Sequence, residues 1–276
     1  MNTDTHRCHG EPISVHLCPS VVPCLEVVGL SKQFGGITAL KDVSFAAEDG
    51  RVTAIIGPNG AGKTTLFNLA AGVYPPSSGE VRLRGHSLAG LPAHARARLG
   101  IARTFQNVLL FGQMTALENV MVGRHGRSRA GFIASALRLP SARREEEEIH
   151  LQAVRYLNLV GLGSRADALA AALPFGQQRL LAIARALATE PTVLLLDEPG
   201  AGLNAFETAA LGELIVRVAG MGIAVLLVEH DMNLVMRVAE KVIVLDYGEK
   251  IAEGPAAEVQ KDPRVIAAYL GEEEVP

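Results

Sequence analysis

One short segment, GPNGAGKTT at residues 57–65, restricts the fold of this chain more than any other part of the sequence. It fits the pattern G-x-x-x-x-G-K-[ST], whose defined positions are filled by Gly57, Gly62, Lys63 and Thr64. The glycines let the backbone curl so that successive N–H groups point at phosphate oxygens. Lys63 supplies a positive charge to the β- and γ-phosphates of a nucleotide, and Thr64 offers a hydroxyl to Mg²⁺. The segment therefore predicts a phosphate-binding loop.

The sequence on either side of this loop supports the prediction. RVTAIIG (51–57) is a short apolar run rich in β-branched residues, which is typical of a strand buried on both faces. A helix is predicted from about Lys63 to Ala71, so the phosphates would lie at a helix N-terminus, where the dipole favours negative charge. A glycine-rich turn without a ligand is the alternative, and the order strand, turn, helix argues against it.

Predicted strands alternate with predicted helices along most of the chain. This alternation indicates an α/β fold with a parallel sheet covered on both faces. The predicted strands are LEVVGL (25–30), ITALKDVSFAA (37–47), RVTAIIG (51–57), EVRLRG (80–85), GIARTFQ (100–106), TVLLLD (192–197), IAVLLVEH (223–230), KVIVLD and EKIAEG.

The stretch from about Thr115 to Thr189 contains no convincing strand and is predicted to be a helical insertion. Within it, the acidic run EEEE is expected to form a solvated first helical turn, and Gly161 is expected to end that helix. One face of the helix is predicted to carry the apolar side chains Ile149, Ala153, Tyr156 and Val160.

Composition limits the possible partners. The net charge is −3 and the sequence pI is about 6.3, so no overall positive field attracts nucleic acid. No apolar run approaches the roughly 18–20 residues that cross a bilayer. Any role at a membrane must therefore depend on a partner.

The first 24 residues differ from the rest and are predicted to be a loose extension. All three cysteines lie there, so the remainder needs no disulfide and suits a reducing compartment. A metal site formed by these cysteines and the nearby histidines is the alternative, but their spacing matches no common zinc pattern. The residues concerned are Cys8, Cys18, Cys24, His6, His9 and His16.

Two adjacent carboxylates follow the apolar strand in VLLLDEPGAGLN (193–204). Asp197 ends the strand, where it could hold Mg²⁺ through water. Glu198 comes next and is placed to polarise an attacking water, which is general-base chemistry worth about 10²–10⁴ in rate. A surface turn is the usual setting for an Asp-Glu pair, but the phosphate loop in the same chain favours the functional interpretation.

Two more polar residues follow predicted strands. His230 comes after the strand in LLVEHDM (226–232), at the sheet edge where open α/β sheets bind ligands. Gln106 ends RTFQ and could orient water or ligate Mg²⁺. A single histidine or glutamine is more often structural, and only the phosphate loop makes a role near the γ-phosphate the better hypothesis.

Together these segments resemble the ATP-binding subunits of ABC transporters from Leu25 to the C-terminus. GPNGAGKTT is similar to the Walker A motif, RTFQ to the Q-loop, LLLDEP to Walker B with its catalytic glutamate, and VEHD to the switch-histidine loop. LPFGQQ (173–178) aligns with the family signature, usually LSGGQ. Phe34 stands where the family has the aromatic ring that stacks on adenine.

The resemblance implies a phosphate-loop NTPase (RecA-like) core with a mixed or parallel sheet, an antiparallel β subdomain and a helical subdomain inserted at about 107–189. A single ATPase domain would span 25–276, after the extension 1–24. The expected cofactors are ATP and Mg²⁺. Expected nucleotide contacts are Phe34, Gly57, Pro58, Asn59, Gly60, Ala61, Gly62, Lys63, Thr64, Thr65, Phe175, Gly176, Gln177 and Asn204. The expected catalytic residues are Glu198, His230, Gln106 and Lys63, and the expected metal ligands are Thr64, Gln106 and Asp197.

The resemblance also implies that two ATPase subunits pair head to tail, each signature helix closing on the nucleotide of the opposite chain. Pro174 replaces the signature serine, and proline is tolerated at a first helical position. Asn204 stands where the family usually has an aspartate. Both departures look like a habit of one subfamily, the importers of branched-chain (hydrophobic) amino acids.

That subfamily implies a related but different second ATPase chain, with a homodimer as the alternative. It also implies membrane permeases, an extracytoplasmic binding protein acting indirectly, and a peripheral position on the cytoplasmic face of the cell membrane. NVLLFGQMTALENV (107–120) is rich in apolar residues, and some of them are expected to be exposed and to receive a permease helix. Alternatively, they pack beneath the helical lobe. The apolar residues concerned are Leu109, Leu110, Phe111 and Met114.

Other functions remain open. The cargo could be an amide, urea or another amino acid, and a soluble ABC-type ATPase is possible, although the chain has neither a long coiled coil nor two cassettes. A GTPase switch would need an N-K-x-D segment, which the sequence lacks. A small-molecule kinase would have no signature segment.

Overall fold

The computed structural model describes residues 22–104, 109–126 and 140–270 of the chain. Its strands are β1 (Leu25–Phe34), β2 (Ile37–Ala47), β3 (Val52–Ile56), β4 (Ser78–Leu83), β5 (His86–Ser87), β6 (Ile101–Arg103), β7 (Val193–Asp197), β8 (Ala224–Val228), β9 (Lys241–Asp246) and β10 (Glu249–Gly254). Its α-helices are α1 (Lys63–Ala71), α2 (Ala93–Leu99), α3 (Ala116–His125), α4 (Pro140–Leu159), α5 (Phe175–Leu187), α6 (Ala205–Ala219), α7 (Met232–Val238), α8 (Ala256–Val259) and α9 (Pro263–Leu270).

A six-stranded sheet forms the centre of the fold, in the order β10-β9-β3-β8-β7-β6. Its strands pair in parallel except for β10, which closes one edge in the antiparallel direction. Every residue of β3, β7 and β8 is buried, as expected for apolar strands covered on both faces. The carboxyl ends of β3, β7 and β8 therefore meet at one edge, where the predicted site residues follow them.

A second sheet has the order β2-β1-β4-β5 and is antiparallel throughout. Its inner face packs with α1 and one face of the central sheet in a single apolar cluster, to which Leu25, Phe45 and Phe67 belong. The predicted fold class, a phosphate-loop core with an antiparallel β part and a helical insertion, is confirmed.

Helices α3, α4 and α5, which come between β6 and β7 along the chain, pack together. On α4, Ala153 and the following Val160 are buried while Ile149 and Tyr156 are partly buried, so the predicted apolar face is correct. The predicted start of this helix is wrong. Because α4 begins at Pro140, the four glutamates at 145–148 lie in its second and third turns.

Buried Arg96 of α2 fixes the end of the helix that follows the phosphate loop. Its guanidinium donates hydrogen bonds of 2.8 Å and 3.1 Å to the carbonyls of Leu69 and Ala70, and bonds of 3.0 Å to those of Leu88 and Leu91. The last carbonyls of a helix have no partner within it. The N–H of Gly72 donates 3.2 Å to the Leu69 carbonyl, and Arg96 adds a second donor there and a donor to the Ala70 carbonyl. Arg96 thereby holds α1 in place.

Candidate active site

The phosphate loop lies between β3 and α1, as predicted. Gly57 has φ 146°, and a Cβ there would overlap the carbonyl oxygen of Leu245. Gly62 has φ 100°, and a Cβ there would come within 2.6 Å of the carbonyl oxygen of Ala39. At both positions only glycine fits the backbone conformation and the space.

Lys63, the first residue of α1, is buried, and its ammonium lies within the curl of the loop. It donates hydrogen bonds of 2.6 Å to the Gly57 carbonyl and 2.7 Å to the Pro58 carbonyl. The N-cap residue Gly62 provides no side-chain cap to α1. The first N–H groups of the helix are thus directed at the loop, and the exposed Thr64 lies beside them.

Asp197 ends β7 and is buried together with an arginine that sequence reasoning missed. Arg103 at the end of β6 donates 2.8 Å from Nη2 to Asp197 Oδ2 and 2.6 Å from Nη1 to Asn68 Oδ1 of α1. This pair fixes the orientation of the carboxylate. The signal available in the sequence was a charged residue in the middle of the predicted strand GIARTFQ.

The site residues also fit a divalent cation. Asp197 and Thr64 offer a carboxylate and a hydroxyl, the hard oxygen donors that Mg²⁺ prefers, and Mg²⁺ usually takes few protein ligands beside phosphates and water. Gln106, the third expected ligand, lies outside the described residues. Within the described ranges no three His, Cys, Asp or Glu side chains gather as a metal site.

Glu198 has a strained backbone. Its φ is 45°, in the left-handed region that costs a non-glycine residue on the order of 1–3 kcal/mol. Its N–H donates 2.9 Å to the carbonyl of Val228 at the end of β8. Its carbonyl accepts 2.7 Å from Nη1 of Arg179 on α5. Two neighbouring elements therefore hold Glu198 in this conformation, and Arg179 is a second residue that sequence reasoning missed.

His230 lies two residues beyond β8, and its side chain is 65% exposed. Its Nδ1 is 3.9 Å from Oε2 of the buried Glu229. Asp197, Glu198 and His230 thus follow adjacent strands β7 and β8, at the edge of the sheet that also carries the phosphate loop after β3. The structure brings these predicted residues to one edge.

Phe34 lies at the tip of the β1–β2 hairpin and is half exposed. Tyr74 meets its ring edge-on, with centroids 5.6 Å apart. The Lys32 ammonium lies 4.9 Å from the centroid of the Phe34 ring and donates 2.8 Å to the Pro75 carbonyl. These contacts fix a half-exposed ring that can accept a stacked base.

The signature segment begins helix α5. Pro174 is the N-cap and Phe175 the first helical residue, so the prediction of proline at the first helical position is wrong by one residue. No side-chain cap covers this helix start. The short helices α2 and α8 also begin after a proline without such a cap, so a missing cap alone does not identify an anion site.

The phosphate loop and the start of α5 line different grooves. Pro58–Ala61 of the phosphate loop line a cavity of about 470 Å³ together with Tyr247 and α9. Gly176 and Gln177 of the signature line a different groove of about 380 Å³, formed with α4 and α6. The two cavities have no lining residue in common.

Asn204, a predicted nucleotide contact, has a structural role. Its side chain accepts 3.0 Å from the N–H of Glu207, and Glu207 accepts 3.0 Å from the N–H of Asn204. This reciprocal capping box begins α6 and stabilises it by about 1 kcal/mol.

The sequence and structure match one family. The family model described as "ABC transporter" matches residues 40–201, which carry the phosphate loop, the signature and both carboxylates. The chain belongs to the ABC transporter ATPases. As a member of that family it binds ATP and hydrolyses it in support of transport. A second family model, "Branched-chain amino acid ATP-binding cassette transporter", matches residues 249–275 of this ATPase.

Curated relatives cover nearly the whole ATPase. The high-affinity branched-chain amino acid transport ATP-binding protein BraF of Pseudomonas aeruginosa is 45% identical over 91% of this chain and 98% of its own. LivG of Escherichia coli, with the same description, is 43% identical with the same coverage.

Solved structures of ABC transporter cassettes are similar to this chain. The ADP conformation of the cassette MJ1267 is 31% identical with a TM-score of 0.78, covering 91% of this chain and 100% of its own. The dimeric structure of the bacterial cassette MJ0796 is 28% identical with a TM-score of 0.72, covering 84% and 98%.

Proposed function

We propose that this ATPase powers the import of branched-chain amino acids. The main support is the identity of 45% and 43% to BraF and LivG over nearly the full length of both relatives. The family model that matches residues 249–275 carries the same substrate class in its description. Among the described residues no helix is long and apolar enough to span a bilayer. In this proposal the ATPase is a peripheral subunit of the transporter. It lies on the cytoplasmic face of the membrane and is bound to the permease subunits, which contact the cargo.

Two ATPase chains share each nucleotide in this proposal. The single observation that carries it is that the phosphate loop before α1 and the uncapped start of α5 line different grooves of one chain, with no lining residue in common. The phosphate loop of one chain holds ATP, and Gly176 of the opposite chain presents its helix start to the γ-phosphate. A charge-assisted hydrogen bond of this kind contributes about 1.5–3 kcal/mol and lasts only while the γ-phosphate does. ATP then closes the pair and hydrolysis opens it.

Each residue at the sheet edge has a role in this cycle. Lys63 and the loop N–H groups neutralise the β- and γ-phosphates. Thr64, Asp197 and Gln106 would hold Mg²⁺, which supplies further charge neutralisation when it is bound. Glu198 accepts a proton from the attacking water, and His230 lies where it can contact the γ-phosphate. Arg103 keeps the Asp197 carboxylate oriented.

The segment after Gln106 offers a surface to a permease. Leu109, Phe111 and Met114 are 64%, 50% and 39% exposed. Leu110 instead packs against the helical core, so the alternative of burial beneath the lobe applies to that residue. Leu109 and Phe111 line a groove of about 390 Å³ between the helices and β6, whose lining also includes Arg103 and Arg185. A short amphipathic permease helix fits such an apolar groove.

The test is uptake into proteoliposomes that contain the ATPase with its co-purified permease subunits and binding protein. We expect ATP-dependent uptake of leucine that is competed by isoleucine and valine. Glu198→Gln should bind ATP and abolish uptake, whereas Lys63→Ala should fail to bind ATP at all. Uptake of urea or an amide in place of leucine would contradict the cargo, and native ATP turnover by Glu198→Gln would contradict the assignment of the base.

A further inference from the structure

Glu229, the residue before His230, is a buried carboxylate that joins two loops of the site. It is 1% exposed, and both of its oxygens accept hydrogen bonds from backbone N–H groups. Oε1 accepts 2.6 Å from Gly200, two residues after Glu198, and Oε2 accepts 3.2 Å from His230. Burial raises the pKa of Glu229, and these backbone hydrogen bonds oppose that rise. One side chain therefore fastens the loop after β7 to the loop after β8.

Gly200 leaves the space that this carboxylate occupies. A Cβ at position 200 would lie 2.8 Å from Glu229 Oε1. Any side chain there would displace the carboxylate or break its shortest hydrogen bond. Gly200 and Glu229 are therefore complementary in shape as well as in hydrogen bonding.

Arg179 extends this connection to the signature helix. It is buried, its guanidinium lies 4.8 Å from the centroid of the Phe175 ring, and it donates 2.7 Å to the carbonyl of Glu198. It is also attracted electrostatically to the carboxylates of Glu229 and Glu198. The start of α5, through Phe175 and Arg179, is thus in direct contact with the backbone of Glu198.

We propose that Glu229 is a positioning residue, and that with Gly200 and Arg179 it links the start of the signature helix to Glu198 and His230 of the same chain. The inference rests on the proposed function, in which that helix start contacts the γ-phosphate of the opposite site. A shift of α5 at one nucleotide then changes the position of Glu198 at the other nucleotide. Glu229 itself does not touch the substrate, because both of its oxygens bond to backbone.

The test measures ATP turnover by the assembled transporter for variants of Glu229 and Gly200. Glu229→Gln keeps the shape and one acceptor but loses the charge, and we expect kcat to fall about tenfold, as for a lost charge-assisted hydrogen bond. KM for ATP should stay within about twofold and Tm within a few degrees, since the phosphate loop is untouched. Glu258→Gln, on the exposed face of α8, is the matched control and should keep the native kcat.

A double-mutant cycle separates positioning from general damage. Gly200→Ala should lower kcat about tenfold in the native background but have little effect in a Glu229→Ala background, where the added Cβ meets no carboxylate. Gly126→Ala, at a position with ordinary φ and open space, is its control. If Glu229→Ala does not fold, Glu229→Ser supplies the background.

Two results would overturn the inference: native kcat in the Glu229 variants, or the same loss from Gly200→Ala in both backgrounds. Glu198→Gln, measured in the same preparations, keeps the two hypotheses apart. A native complex that hydrolyses no ATP would contradict the proposed function. The link alone would be contradicted if the native complex is active and Glu198→Gln abolishes its ATP turnover, while substitutions at Glu229 and Gly200 leave kcat unchanged.

Discussion

At the scale of single residues, Phe34 shows how neighbours prepare a side chain for a ligand. Tyr74 meets the ring edge-on and the Lys32 ammonium lies 4.9 Å from its centroid. A half-exposed aromatic ring held in this way has little rotamer freedom left to lose when a base stacks on it. Stacking of a base on an aromatic ring is worth about 1–3 kcal/mol.

We therefore predict that Phe34→Ala raises the Kd for ATP by about tenfold, while Phe34→Tyr keeps it near the native value. Titration with a fluorescent ATP analogue measures both. The matched control is Ile37→Ala in the same hairpin, whose side chain is 73% exposed. A native Kd for Phe34→Ala would show that adenine binds elsewhere.

The candidate site residues that belong to short motifs could be predicted from the sequence, because spacing along the chain determines a phosphate loop or a carboxylate after a strand. It missed Arg103, Arg179 and Glu229. Their partners are 94, 19 and 29 residues away along the chain. A hydrogen bond across that separation depends on the packing of whole elements and leaves no local pattern. Spacing also could not reveal that Asn204 caps α6.

At the scale of elements, the central strands β3, β7 and β8 agree with the sequence prediction because each is a short, continuous apolar run that is buried throughout. The predictions for β2 and α1 match the observed bounds. The predicted start of α4 was wrong because the first residues of this helix are mostly polar and charged and show no apolar stripe before Ile149.

Helix α1 gives a prediction about stability. Arg96 donates to the carbonyls of Leu69 and Ala70 near the end of α1 and is itself buried. We expect Arg96→Met to reduce the free energy of unfolding by about 2 kcal/mol or more, because buried carbonyls lose their donors. Urea denaturation measures this loss. Arg98→Met, on the exposed side of α2, should change the free energy of unfolding by less than about 0.5 kcal/mol, and equal losses would contradict the role of Arg96.

At the scale of the whole molecule, the exposed apolar surface after β6 predicts a separation of transport from ATP hydrolysis. A charge at Phe111 would oppose the burial of this surface against a permease. Phe111→Glu should therefore reduce uptake by at least about tenfold and leave the basal ATPase activity of the purified cassette near native. Leu151→Glu, on an exposed part of α4, is the control. Unimpaired uptake by Phe111→Glu would show that the permease docks elsewhere.

The second prediction at this scale concerns the pairing of two cassettes. If α5 serves the nucleotide of the opposite chain, Gly176 contributes nothing to ATP binding by an isolated chain. Gly176→Asp places a negative charge at the helix start, where it repels the γ-phosphate. Because a Cβ at Gly176 would lie 2.8 Å from Glu207 Oε1, Gly176→Ala is needed as the steric control.

We expect Gly176→Asp to bind ATP with a Kd within about twofold of native while losing ATP-dependent pairing, whether the second chain is a copy or a related cassette. Sedimentation in a Glu198→Gln background, where closed pairs should accumulate, measures the pairing. Gly176→Ala should weaken it less, since only the steric part of the change remains. If Gly176→Asp instead weakened ATP binding by the single chain, the signature would contact the nucleotide of its own chain. The presence of the phosphate loop and the start of α5 on different grooves would then have no role in sharing ATP.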